Sequence, residues 1–122
     1  MSLHKDAERL RIYIGEADVL RGRPRYESIV EAARRHGLGG ATVSRGIMGF
    51  GADSLIETTD ALRLSGDLPI VIEIVDSAGM IASFLPELDQ LMDEGLVTRD
   101  KVQVVLYRQS RSKREQVPPK SP

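Results

Sequence analysis

Polar and apolar residues alternate near residues 8–15. Leu10, Ile12 and Ile14 point one way and Arg9, Arg11 and Tyr13 the other, a period of two that predicts a strand. A polar loop follows from Glu16 to Arg23. Pro24 suits a first helical turn, where its missing N–H has no partner to lose. Tyr26, Ile29, Val30 and Ala33 then share one helical face, Arg34, Arg35 and His36 lie at the negative end of the dipole, and Gly37 supplies a left-handed stop. Residues 41–48 predict a second strand anchored by Val43 and Ile47. From Gly51 to Asp67 the chain is polar and weakly patterned, a connection long enough to suggest a mobile, functional loop. Leu68 to Val75 is apolar on both faces, as a central strand should be, with Pro69 at its start. Asp76 or Ser77 caps a second helix, on which Ile81, Phe84, Leu85, Leu88 and Met92 share a face. Pro86 predicts a bend around Ala82 to Leu85, and Gly95 ends the helix. Leu96 and Val97 then pack a turn, and Val102, Val104 and Leu106 against Gln103, Val105 and Tyr107 form the last strand.

Strand, helix, strand, strand, helix, strand, joined by right-handed crossovers, predicts a ferredoxin-like α+β fold, βαββαβ. Its antiparallel four-stranded sheet carries both helices on one face. The open face should then present Tyr13, Val71, Val75, Val105 and Tyr107, a patch that asks to be covered in a homo-oligomer. Glu73 shares that face and is expected at a solvent rim.

The 122 residues make one domain, 8–107, with residues 1–7 frayed and a mobile loop at about 51–67. Net charge is −1, but residues 108–122 sum to +4 and the rest to −5. Residues 108–122 contain Pro118, Pro119 and Pro122 and read as a basic, disordered tail. With no basic stripe through the periodic segments, DNA or RNA binding is not expected. Cysteine is absent, which excludes disulfides and thiolate chemistry. With neither a long apolar run nor a leader pattern, a cytoplasmic location is the expectation.

Candidate chemistry is sparse. The histidines are His4, in the expected fray, and His36, a helix-end cap. Asp93–Glu94 and Glu87 with Asp89 read as a solvated helix face. No nucleophile–base motif or metal-ligand spacing stands out, so no enzyme and no metal are expected. Six of the eleven glycines lie between Gly37 and Gly51. In Ser44-Arg45-Gly46-Ile47-Met48-Gly49-Phe50-Gly51, glycines bring backbone N–H groups close to an anion and Arg45 adds a forked donor, which suits a phosphate. A tight turn or bulge that needs glycine accounts for the same residues.

Ala41 to Gly51, ending in Gly-Phe-Gly, resembles the segment of PII nitrogen-regulatory proteins that opens their long T-loop, and Leu68 to Asp76 resembles the strand after that loop. Leu64 to Pro69, Phe84-Leu85-Pro86 and Gly95-Leu96-Val97-Thr98 more closely resemble the PII-like domain-of-unknown-function 190 family, over about residues 8–107. The resemblance implies a PII-like homotrimer with nucleotide-sized clefts between subunits, non-enzymatic signalling, and a flexible loop that acts on a partner. It implies a ligand set of Arg45, Gly46, Gly49, Phe50 and Gly51, joined by Gly95, Arg99 and Lys101 from a neighbour, and a small anionic effector such as the adenine nucleotide AMP. Ala52 and Asp53 stand where PII has basic and polar residues, and a glycine- and lysine-rich PII loop is reduced to Gly95, Thr98, Arg99 and Lys101, both of which argue against triphosphate. No tyrosine occurs between Tyr26 and Tyr107 to match the modified T-loop tyrosine of PII. The alternative is a ligand-free trimeric module that docks on a membrane transporter or another protein.

Overall fold

The computed structural model describes residues 6–51 and 67–109. Strand β1 (Ala7–Gly15) is followed by a small hairpin, β2 (Val19–Leu20) and β3 (Arg23–Pro24), inside the expected polar loop. Helix α1 (Arg25–His36), strand β4 (Thr42–Arg45), strand β5 (Pro69–Ser77), helix α2 (Ala78–Leu91) and strand β6 (Leu96–Val102) complete the order. The main sheet runs β4-β5-β1-β6 with every neighbour antiparallel, the ferredoxin-like arrangement. The expected mobile loop, over 52–66, and the tail from 110 lie outside the described residues.

Alternation builds the core. Leu10, Ile12 and Ile14 of β1 and Ile70, Ile72 and Ile74 of β5 are buried under Ile29, Ala32 and Ala33 of α1 and Ile81, Phe84 and Leu88 of α2. Each large side chain here contributes roughly 1.5–3 kcal/mol of apolar transfer. Register aligns the two central strands residue for residue, Ile12 opposite Ile72, so both rows meet the helices.

Four expectations need correction. The last strand is Leu96–Val102, not 102–107. The first run carries charge on both faces, as an edge strand tolerates, and this hid it beside the more apolar 102–107. Val105 and Tyr107 therefore lie beyond the sheet and do not join the open face. That face carries Tyr13, Val71, Val75 and Leu96, with Thr98 opposite Arg11, and is crossed by ion pairs. Arg9 pairs with Asp100 at 2.8 Å, and Arg11 with Glu73 at 2.9 Å. Glu73 is thus a cross-strand partner, and its hydrogen bond raises the Arg11 guanidinium further above its usual value.

The remaining two concern element ends. β4 stops at Arg45, and Ile47, expected as a strand anchor, is 97% exposed. α2 ends at Leu91, three residues before Glu94, and runs through Pro86. Pro24 precedes α1 as its N-cap residue, and Gly37 closes α1 at φ 97° as expected.

Candidate functional site

At the open end of β4 the chain turns back over the start of β5. The Gly46 N–H donates to the Pro69 carbonyl at 2.7 Å. A Cβ on Gly46 or Gly49 would stand 2.7 or 2.9 Å from the Pro69 ring. Both glycines are therefore required by packing, whatever else they serve. Gly51 has open space around its Cα. The close turn pushes Ile47, Met48 and Phe50 outward; Met48 is 66% and Phe50 71% exposed. Arg45 is already ion-paired with Glu16.

The other edge is built differently. Gly95 joins α2 to β6 at φ 121°, and a Cβ there would stand 2.6 Å from the Tyr13 carbonyl oxygen. Beside it an open groove of about 390 Å³ is lined by Leu85, Leu88, Met92 and Val97, with Asp89, Asp93 and Glu94 at its rim. Asp93 bonds at 3.0 Å to Arg25, a buried guanidinium that also donates to the carbonyls of Leu91 and Val19 and contacts Asp18 at 3.0 Å. One cation thus fastens the β2–β3 hairpin, the start of α1 and the last turn of α2. Arg99, farther along β6, is ion-paired with Glu8, and Lys101 stands exposed opposite Glu8 in the register.

The eight expected ligand residues therefore form two groups. Arg45 is level with Ile70 on β5, which is level with Ile14 on β1. Gly95 adjoins that same end, whereas Arg99 is level with Leu10. Two strands intervene between β4 and β6, so the groups lie about 14 Å apart across the sheet, and Arg99 is a further ~13 Å along it. Within one chain they do not converge.

Sequence reasoning missed two polar clusters. Asp76 was expected as a possible cap, but Ser77 caps α2 by accepting from the Met80 N–H. Asp76, 2% exposed, instead accepts from the N–H groups of Gly39 and Ser77 at 2.8 and 2.7 Å. It lies opposite Glu8, so two buried carboxylates face each other at one end of the core. The signal was present: Asp76 continues the inward row Ile70, Ile72, Ile74. The second cluster corrects His36 and Glu87. His36 Nε2 lies 2.8 Å from Ser83 Oγ, its Nδ1 lies 3.4 Å from Glu87, and its ring tilts against Phe84. The Ser83 hydroxyl donates to the Met80 carbonyl at 2.8 Å, so its proton is directed away from the imidazole, and the trio acts as a clamp between the helices. Among the described residues no three His, Cys, Asp or Glu side chains are grouped to hold a metal ion, and no helix is long and apolar enough to cross a membrane.

Comparison with known proteins adds context. The model of the family described as DUF190, uncharacterized ACR, matches residues 7–104. A UPF0166 protein of Aquifex aeolicus is 38% identical over 96 residues, covering 79% of this chain and 90% of that one. Among solved structures, CPII of Thiomonas intermedia K12, described as a nitrogen regulatory PII-like protein bound to ADP, AMP and bicarbonate, superposes with a TM-score of 0.58 at 19% identity, over 80% of this chain and 87% of that one. GlnK of B. subtilis superposes at 0.52 with 15% identity, over 79% and 84%. At these identities the likeness is one of fold.

Proposed function

The chain belongs to the DUF190 family and has a PII-like fold, and from that premise we propose that it is a regulatory protein binding a small anionic effector, an adenine nucleotide such as AMP, in clefts between copies of itself. The observation that carries this reading is the division of the expected ligand residues between the two edges of the sheet. A homotrimer would bring the β4 edge of one copy to the β6 edge of the next. The turn at Gly46 to Gly51, with Phe50, would then offer backbone donors and an aromatic face, Arg45 a guanidinium, and the neighbour's Gly95, Arg99 and Lys101 the opposite wall. Binding would reorganise residues 52–66 and pass the ligand state to a partner protein. The reading is that of a binding protein, not an enzyme, acting in the cytoplasm, with residues 8–107 as its working domain and the basic 108–122 as a separate tail.

A second reading has its own support. Arg45 and Arg99 are already paired with Glu16 and Glu8. A phosphate must compete with those carboxylates, and a ligand-free module docking on a transporter or other partner needs no such exchange. Calorimetry with AMP, ADP, ATP and cyclic AMP separates the two. The effector reading expects heat with AMP and an affinity at least about tenfold weaker in Arg45→Ala, a loss of ~1.4 kcal/mol. No heat with any of the four would leave the docking module as the better account.

A further inference from the structure

The turn that follows β1 holds the start of β5 by several bonds. The Glu16 N–H donates to the Leu68 carbonyl at 2.8 Å, and the Ala17 N–H donates to the Asp67 carboxylate at 2.9 Å. The Asp67 carboxylate packs so closely on Gly15 that a Cβ there would collide with it. From the other side the Gly46 N–H donates to the Pro69 carbonyl. The first residues of β5 are therefore fixed from β1 and from β4 at once.

One side chain ties this corner directly to β4. The Glu16 carboxylate is ion-paired with the Arg45 guanidinium, and the two side chains are 25% and 58% exposed. In the sheet β5 lies between β4 and β1. Arg45 is level with Ile70 and Gly15 with Pro69, so the ion pair spans the start of β5. The exposures differ in a telling way. The cation is open enough for a dissolved anion to reach it, whereas the carboxylate is recessed and its backbone is held to Leu68. A second anion arriving at the same guanidinium meets the charge of the first, so it binds by turning Glu16 out.

We propose that Glu16 is a built-in occupant of the Arg45 anion seat, an autoinhibitory contact that an incoming phosphate must displace. A ligand whose site is open only part of the time binds with an affinity reduced by that fraction. A partly exposed ion pair of this kind closes the seat by a factor of about two to five. Displacement also has a structural consequence. Turning the carboxylate out unties β4 from the β1 corner, while the backbone bonds of Glu16 and Gly46 to β5 remain. The Arg45 end of the connection to β5 is thereby released and the Asp67 end stays held. By linkage, whatever loosens the Arg45 end also raises the affinity for an anion. The inference rests on the proposed function in taking Arg45 as a ligand residue, and it concerns the anion alone, not the adenine.

The test is a titration with inorganic phosphate, without nucleotide, followed by the NMR signal of the Arg45 Nε–H and assigned by its loss in Arg45→Ala. Glu16→Gln removes the charge, and Glu16→Asp keeps it but withdraws it from Arg45 by one methylene. Both retain the backbone N–H that holds Leu68, and circular dichroism should show each variant folded. Half-saturation in Glu16→Gln should come at a phosphate concentration about two- to fivefold lower than in the parent, and Glu16→Asp should also bind more tightly than the parent. Equal half-saturation in all three would overturn the proposal. So would a parent-like Glu16→Asp, which would mean that the charge acts through space with no contact to displace. An Arg45 signal that phosphate leaves unmoved in every variant would overturn it as well. The same titration with AMP separates this inference from the proposed function. AMP that binds no better than phosphate, with the variants ordered as expected, would contradict the nucleotide reading alone. AMP that binds the parent and both variants alike would overturn the built-in occupant and leave the nucleotide reading standing.

Discussion

The two edges of the sheet solve the same problem, how to leave an outer strand, in opposite ways. At β4 the chain turns over a side chain, the Pro69 ring, and throws three apolar residues outward. At β6 it enters through a backbone contact, Gly95 on the Tyr13 carbonyl, beside a recessed groove with an acidic rim. One edge projects and the other recedes. The central strands between them share one residue-for-residue register and bury their isoleucines alike. The lesson is that glycine is demanded on both sides for different reasons, and only the reason shows which glycine is fixed by the fold and which leaves room for a ligand.

Substitution separates these reasons. Gly95→Ala should cost most: it puts a Cβ 2.6 Å from a carbonyl oxygen at φ 121°, and strained backbone alone costs about 1–3 kcal/mol. Chemical denaturation should show a loss of about 3 kcal/mol, and an unchanged midpoint would contradict the description of this edge. Asp76→Ala comes next. It takes the buried acceptor away from the Gly39 and Ser77 N–H groups, at about 1–3 kcal/mol, while Asp76→Asn should recover part of that in the same titration. Gly46→Ala should cost less, about 1–2 kcal/mol, because its Cβ would crowd the Pro69 ring at 2.7 Å while its backbone, unlike that of Gly95, is not held at positive φ. A Gly46 variant as damaging as the Gly95 variant would erase the distinction between the edges.

The smallest effect lies away from both edges, on α1. Arg23 bonds to Glu31 at 3.0 Å and, by that hydrogen bond first and its charge second, holds the Glu31 carboxyl below its ordinary value of 4.5, with Arg35 assisting; the Arg23 guanidinium is raised in return. A lowered carboxyl stabilises the fold above its unfolded value and ceases to as pH falls through the folded value. Urea midpoints of the parent and of Glu31→Gln should therefore differ slightly above the ordinary carboxyl value of 4.5, with the parent higher, and converge as the pH falls through the lowered folded-state value. Convergence at neutral pH instead would mean that the pair is not formed in solution.

Much of this arrangement was legible in the chain. Period-two rows ending in Ile14 and Ile74, and the helical faces of Ile29 and Phe84, are local patterns that burial enforces. β6 was misplaced because edge strands need no apolar row: Thr98, Arg99, Asp100 and Lys101 hydrogen-bond to β1 as well as any valine would. The site was legible as residue types but not as partners. Arg45 meets Glu16 and Arg99 meets Glu8 across long stretches of sequence, and a single chain gives no sign that each cation already has a carboxylate. Asp76 could have been found by extending the inward row two residues further.

The central claim is that opposite edges meet across copies. Because the chain has no cysteine, one introduced thiol reports cleanly. Chains carrying Met48→Cys, mixed with chains carrying Val97→Cys and oxidised mildly, should give a mixed disulfide-linked pair in clear excess over either like-with-like pair. A yield of mixed pairs no greater than random collision gives, or like-with-like pairs alone, would contradict the account.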